Sequence, residues 1–205
     1  MSSGSFVQGA IAPNSILTYF GPVICLPNEQ VLINGTATKI LFANATQINF
    51  VSPGSLVGGA VTLQIVCTGY APVTLTAPVA TANPSIFTQN ETGKGEGAIL
   101  NLDETVNSPA APTQQGSYIS VYGTGFGAFA PSGPDGLQHL VATVTANIGG
   151  VAATVVYAGE APGETSGLQQ INIRVPTGIA AGPAVPILLS ANGAATQNGV
   201  TLAVQ

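Results

Sequence analysis

The chain has 205 residues, of which 5% are charged, with three Lys/Arg against eight Asp/Glu and a formal net charge of -5. Soluble domains carry about 25% charged residues, and three basic side chains cannot neutralise the phosphates of a nucleic acid or anchor a chain on anionic lipid. One His, two Cys and no Trp leave few parts for metal capture or catalysis, and no apolar run approaches the roughly 20 residues of a spanning helix.

Gly (26) and Pro (15) interrupt the chain throughout, which breaks helices and favours short strands joined by tight turns. The wealth of Val, Ile and Leu argues against disorder. In chain order, strands are predicted near 15–20, 30–34, 38–43, 47–52, 60–67 and 72–79. The stretch from about 80 to 116 holds Pro84 to Thr88 and Gly97 to Asn101, which read as strands, with a rigid turn at Asn107-Ser108-Pro109. Further strands are predicted near 117–123, 141–148, 153–158, 169–175, 184–191 and 198–204.

Two copies of one unit account for this spacing. Gln47-Ile48-Asn49-Phe50-Val51-Ser52-Pro53 recurs as Gln170-Ile171-Asn172-Ile173-Arg174-Val175-Pro176. Ile33 to Ala43 matches Ile148 to Ala158, and Ser15 to Gly21 matches Ser117 to Gly123, in the same order. Between the block ending at Ala43 or Ala158 and the one starting at Gln47 or Gln170, the second copy is about eight residues longer, around Gly159-Glu160-Ala161-Pro162-Gly163. The fold class expected is all-β, as two tandem immunoglobulin-like antiparallel β-sandwich domains. The first spans 1–80 and the second 81–205, with 81–116 supplying the first strands of the second.

In both copies the Gln and Asn share one face of a strand. Gln47, Asn49, Gln170 and Asn172 are read as bonding neighbouring backbone at a strand end in preference to contacting a ligand. Pro53 and Pro176 end their strands because proline cannot donate to the ladder. Cys25 and Cys67 either pair or remain buried thiols; pairing closes a loop worth about 4 kcal/mol in the loop-entropy model. Asn34-Gly35-Thr36, Asn44-Ala45-Thr46 and Asn90-Glu91-Thr92 are glycosylation sequons of a kind that a Thr- and Asn-rich chain also produces by chance. The neutral-polar composition favours an extracellular or cell-surface location, although Met1 to Ser5 does not read as a signal peptide.

The order of Ile11-Ala12-Pro13, Gln47-Ile48-Asn49, Val106-Asn107-Ser108-Pro109, Tyr122-Gly123-Thr124-Gly125-Phe126-Gly127 and Gly167-Leu168-Gln169-Gln170-Ile171-Asn172 resembles an uncharacterised C-terminal domain. That family occurs at the ends of large secreted or surface proteins of acidobacteria. The resemblance covers nearly the whole chain and implies an Ig-like, extracytoplasmic module; it implies no activity. The chain departs from the pattern where the usual Asp-Gly turn reads Asp103-Glu104, and in a short loop after Gly21 that carries Cys25.

No catalytic, cofactor-binding or metal residues are assigned. His139 follows the Gly133-Pro134-Asp135-Gly136 turn with no nucleophile elbow in the chain. Glu160 and Glu164 on one loop are the sole glycosidase-like pair, Asp103-Glu104 the sole adjacent acids for calcium, and Lys39 the sole candidate for an intramolecular isopeptide. The expected function is a non-catalytic structural or adhesive protein that self-associates, in a filament or surface layer, because Lys and Glu that normally guard edge strands are scarce. The alternative is a carbohydrate- or protein-binding module, with Tyr70 as the one loop platform and Tyr19, Tyr118, Tyr122 and Tyr157 assigned to the core.

Overall fold

The computed structural model describes residues 1–22 and 28–205 and contains no helix among them. The first copy forms β1 (Ile16–Phe20), β2 (Glu29–Ile33), β3 (Thr36–Ala37), β4 (Lys39–Asn44), β5 (Gln47–Val51), β6 (Ala60–Cys67) and β7 (Val73–Pro78). Then come β8 (Ser85–Ile86), β9 (Gly95–Glu96) and β10 (Ile99–Asn101). The second copy forms β11 (Tyr118–Thr124), β12 (Val144–Ile148), β13 (Val151–Glu160), β14 (Gln169–Arg174), β15 (Gly182–Ala191), β16 (Ala194–Ala195) and β17 (Val200–Val204).

In the first copy a sheet ordered β1-β5-β4 accompanies a sheet ordered β3-β2-β6-β7. Taken from β1 onward, these are the B-E-D and C-F-G sheets of an immunoglobulin sandwich, with β3 added beside the C position. The second copy repeats the order, as β10-β11-β14-β13 and β12-β15-β17-β9. There β13 joins the two layers: Val151 to Ala153 pair with β12, while Thr154 to Glu160 pair with β14. The chain is therefore two tandem Ig-like β-sandwich units.

The likeness of the copies extends to irregular features. Register shifts fall between Ile40 and Phe42 in β4 and between Val155 and Tyr157 in β13, at matching places in the repeat, and turn Leu41 and Val156 outward. The β2–β3 and β12–β13 turns place Asn34-Gly35 and Gly149-Gly150 at positive φ, the geometry that two-residue hairpins require.

Alternation along the strands fills two separate cores. Leu17, Val31, Ile33, Ile48, Phe50, Val61, Leu63 and Ile65 form the first; Ile119, Val121, Ile148, Ile171, Ile173, Ile187, Leu189 and Leu202 belong to the second, with Ile86, Ile99 and Phe126. Each such side chain contributes about 1.5–3 kcal/mol by leaving water. Val79 packs against the first core and Ala82 lies in the second.

The seam between the copies is polar and buried. Thr124 Oγ1 accepts from Ile16 N at 2.7 Å and donates to Gly167 O at 2.7 Å. Gln169 Oε1 accepts from Phe126 N at 2.8 Å, and Nε2 lies 3.4 Å from Asn14 O. Gly167 permits the close approach, since a Cβ there would sit 2.5 Å from Ile16 Cγ1. Ser2 and Ser85 hydroxyls bond at 2.6 Å across the same seam.

Candidate functional site

Ile119 and Val121 of β11 point into the core, which turns Tyr118, Ser120 and Tyr122 to the outer face. Gln170 and Asn172 of β14 stand beside them, Asn172 directly opposite Ser120. Gln170 Nε2 donates to Asn172 Oδ1 at 2.8 Å, so the two amides hold each other in place. These side chains floor an open groove of about 730 Å³, within the usual range for ligand sites.

Two walls flank it. One is the turn after β10, where Asp103 Oδ1 accepts from Thr105 Oγ1 at 2.6 Å and Glu104 adopts a φ of 65°; Leu102 there is 68% exposed. The other combines Val156, pushed outward by the β13 irregularity, with Pro162 from the longer loop of the second copy. Burial, and then the carboxylates of Glu164 and Glu104, push the Tyr122 phenol above its ordinary pKa. No basic residue lines the groove; Arg174, opposite Tyr118, points its Nε to Gly116 O at 3.2 Å.

The matching face of the first copy has the same floor but a different fate. Gln47 Nε2 donates to Asn49 Oδ1 at 2.9 Å, and Thr18 Oγ1 donates to the same oxygen at 3.0 Å. Ile16 and Phe20 replace the two tyrosines. The chain's own N-terminal segment lies here: Ser3 Oγ and Thr18 Oγ1 bond at 2.7 Å, and the Phe6 and Phe20 rings are 6.3 Å apart. With Phe87, Thr88 and Glu91 from the second copy also on it, the space left is about 340 Å³.

A second difference concerns the last strand of each copy. The outer side of β17 is covered: β9 pairs with it in parallel, Gln205 N donates to Thr113 O and Thr113 N to Ala203 O, and Ala203 N donates to Asn107 Oδ1 at 2.7 Å. Among the described residues β7 pairs only with β6, and Ile11 reaches just its end, through Pro78 O and a bridge at Val79. From Val73 to Ala77 its outer edge has no partner among the described residues, and Val73 and Leu75 are exposed. No charged residue occurs between Lys39 and Glu91. Beside this edge a cleft of about 480 Å³ opens toward the first core at Leu17, Phe50 and Leu63.

Other sequence expectations fall as follows. Tyr19 packs against the first core and Tyr70 is exposed in the turn after β6. Tyr118 and Tyr122 are not core residues: the register of β11 puts them outside, with Tyr118 40% exposed. Tyr157 is half-buried, its hydroxyl on Glu160 O at 2.6 Å. The repeated amides bond each other instead of backbone. Pro53 and Pro176 lie just past the ends of β5 and β14. Cys67 is buried at the end of β6 and is not a free thiol; Cys25 lies outside the described residues. All three sequon asparagines are exposed.

His139 is exposed and bonds Asp135 Oδ2 at 2.8 Å. That bond, followed by one from Leu137 N, holds the Asp135 carboxyl below its ordinary pKa. Glu160 accepts from Gln138 N at 2.9 Å and acts on Tyr157, whereas Glu164 acts on Tyr122. Lys39 is exposed, its Nζ on Thr165 Oγ1 at 3.2 Å, so it lacks the burial an isopeptide requires. No group of three or more His, Cys, Asp or Glu is placed to hold a metal among the described residues. No helix is long and apolar enough to cross a membrane.

No family model and no curated protein matches the chain. Among solved structures it is similar to SGBP-B of the Bacteroides ovatus mixed-linkage glucan utilization locus, in complex with a mixed-linkage heptasaccharide. The identity is 14% and the TM-score 0.33, over 100% of this chain and 44% of that one. The chain thus spans less than half of that protein's length. A titin structure matches at 12% identity and TM-score 0.26, covering 100% and 98% of the two chains. The tandem Ig repeats of Dlar match at 7% and 0.25, covering 97% and 93%. Similarities this low carry nothing about what the chain binds.

Proposed function

We propose that the chain is a non-catalytic structural or adhesive module of the cell surface or extracellular space, and that it self-associates through β7. The observation that supports this reading is the contrast between the two last strands. β17 is covered along its outer side, whereas β7 offers an uncharged, partly apolar edge. Edge strands are normally guarded by Lys, Glu or covering segments because an unpaired row of N–H and C=O groups recruits another strand. A strand of a second copy added beside β7 gains main-chain hydrogen bonds, and its alternate side chains enter the cleft toward Leu17 and Phe50. When the added strand comes from a different surface of the neighbouring molecule, the contact propagates into a filament unless its rotation closes a ring; β7 against β7 stops at a dimer.

Three further parts belong to the same proposal. The domains divide at 1–80 and 81–205; Cys25 and Cys67 pair, as suits an oxidising compartment; and the chain belongs with the acidobacterial C-terminal domain family it resembles. Sedimentation and light scattering across a concentration series, with negative-stain microscopy, test the assembly. The wild-type chain should form multimers, and Leu75→Lys, which places a charge on the exposed edge, should leave monomers of unchanged fold. A wild-type chain that stays monomeric at high concentration, or a Leu75→Lys variant that assembles equally well, refutes the proposal.

A further inference from the structure

We propose that the open outer face of the second copy, floored by Tyr118, Ser120, Tyr122, Gln170 and Asn172, binds an uncharged polysaccharide chain. The first copy serves as the internal reference. There the same floor is engaged by the chain's own Ser3 and Phe6, and the residues that meet them are apolar, Ile16 and Phe20. In the second copy no segment among the described residues covers the floor, and tyrosines stand at both apolar positions. A phenol joins a flat apolar face to a polar tip, which suits a surface that is wet when empty and stacked when filled.

Tyr118 and Tyr122 lie on one face of one strand, four residues and therefore about 13 Å apart at the rise of a strand. That span suits an extended chain with several apolar faces better than a single small molecule. Between the rings the groups are those that hydroxyls require. The Gln170–Asn172 hydrogen bond uses one donor and one acceptor. Gln170 Oε1, Asn172 Nδ2 and the Ser120 hydroxyl have no protein partner among the described residues, whereas Thr18, the counterpart of Ser120, is committed to Asn49 and Ser3. The floor thus presents fixed acceptors and donors at little ordering cost.

Charge narrows the ligand. Glu104 is the one formally charged residue lining the groove, and Glu164 acts on Tyr122 from the loop beyond Pro162. Carboxylates accept from sugar hydroxyls and repel uronates, sulfated glycans and phosphates, so an uncharged chain is selected. The site stands apart from the β7 edge, and neither proposal depends on the other.

The test uses the intact chain, with hexasaccharides of glucose, mannose and xylose and a galacturonate oligomer as the anionic probe. Binding is read by saturation-transfer NMR and by tyrosine fluorescence, which no Trp obscures. At least one uncharged hexasaccharide should bind. Tyr118→Ala and Tyr122→Ala should each weaken it by about tenfold or more, Tyr118→Phe should stay near wild type, and Tyr70→Ala and Leu75→Lys should change nothing. Tyr118 is exposed, so its removal leaves the fold intact; an unchanged melting curve verifies this. Gln170→Ala provides a second variant that should weaken binding through loss of the fixed amide pair. Several outcomes overturn the proposal: no uncharged probe binds, binding is indifferent to Tyr118 and Tyr122, or galacturonate binds best. If instead no probe binds and Tyr118→Ala dissolves a complex between copies, the face is an interface and the proposal fails.

Discussion

The two copies share strand order, hairpin geometry, the irregularity in β4 and β13 and the paired Gln and Asn, yet they leave different surfaces open. The first copy has its outer B-E-D face covered by the segment from Ser3 to Phe6 and leaves the edge of its last strand without a partner among the described residues. The second has that edge covered by β9, Thr113 and Asn107 and exposes the outer face. Charge follows the same division: Glu29 and Lys39 are the only Asp, Glu, Lys or Arg among residues 1–80, so most acids lie in the second copy. A duplicated sandwich therefore gains two kinds of surface by changing what packs on it, not by changing its framework.

The largest effect should come from breaking the cover on β17. Asn107 is 2% exposed, and its amide bonds Ala203 N, Ala203 O and Asn101 Oδ1 at 2.7–2.9 Å. Asn107→Ala strips the Ala203 N–H of its acceptor, and should cost about 3 kcal/mol for the buried groups left unpaired. Denaturant unfolding measures this. A loss under about 1 kcal/mol would mean that β17 needs no such clip, and that the contrast with β7 is weaker than drawn.

A smaller effect of opposite sign is expected at the groove wall that the first copy lacks. Glu104 holds a φ of 65°, which glycine adopts without strain. Glu104→Gly should stabilise the chain by about 0.5–1 kcal/mol while removing one carboxylate from beside Tyr122. A destabilised variant would show that the Glu104 side chain contributes packing that outweighs the backbone strain.

The smallest effect is a titration. The Tyr122 phenol is raised chiefly by burial and secondarily by Glu164 and Glu104. Because the folded state holds this proton more tightly than the unfolded chain, the stabilisation is full below the ordinary tyrosine pKa of about 10 and is lost as pH rises through the folded value. Glu164→Gln should move the Tyr122 titration, followed by NMR of ring-labelled tyrosine, partway back toward the ordinary value. No movement would place Glu164 too far from the groove to help select an uncharged ligand.

Much of the framework was legible in the residues. All twelve strands expected in the two copies form, and the Pro84 and Gly97 segments do pair with the second sandwich, because a half-buried strand writes its two faces into alternating side chains. Tyr118 and Tyr122, expected in the core because they fall in a strand, lie on the outer face, and the signal for this is present: in Tyr118-Ile119-Ser120-Val121-Tyr122 both rings share parity with Ser120, opposite the two aliphatics. The short β9 left no such trace, since Gly95 and Glu96 have no apolar pattern.

Composition and repetition by themselves determined the class of fold, the duplication, the absence of a basic surface and the parity of each strand. These depend on local chemistry: backbone preference, alternation and charge. Tertiary structure alone decided which face and which edge stay open, because that depends on contacts between residues far apart in the chain. Ser3 reaches Thr18, Thr113 reaches Ala203, and Ile16 meets Thr124 across the seam. Periodicity within one strand carries no record of such partners.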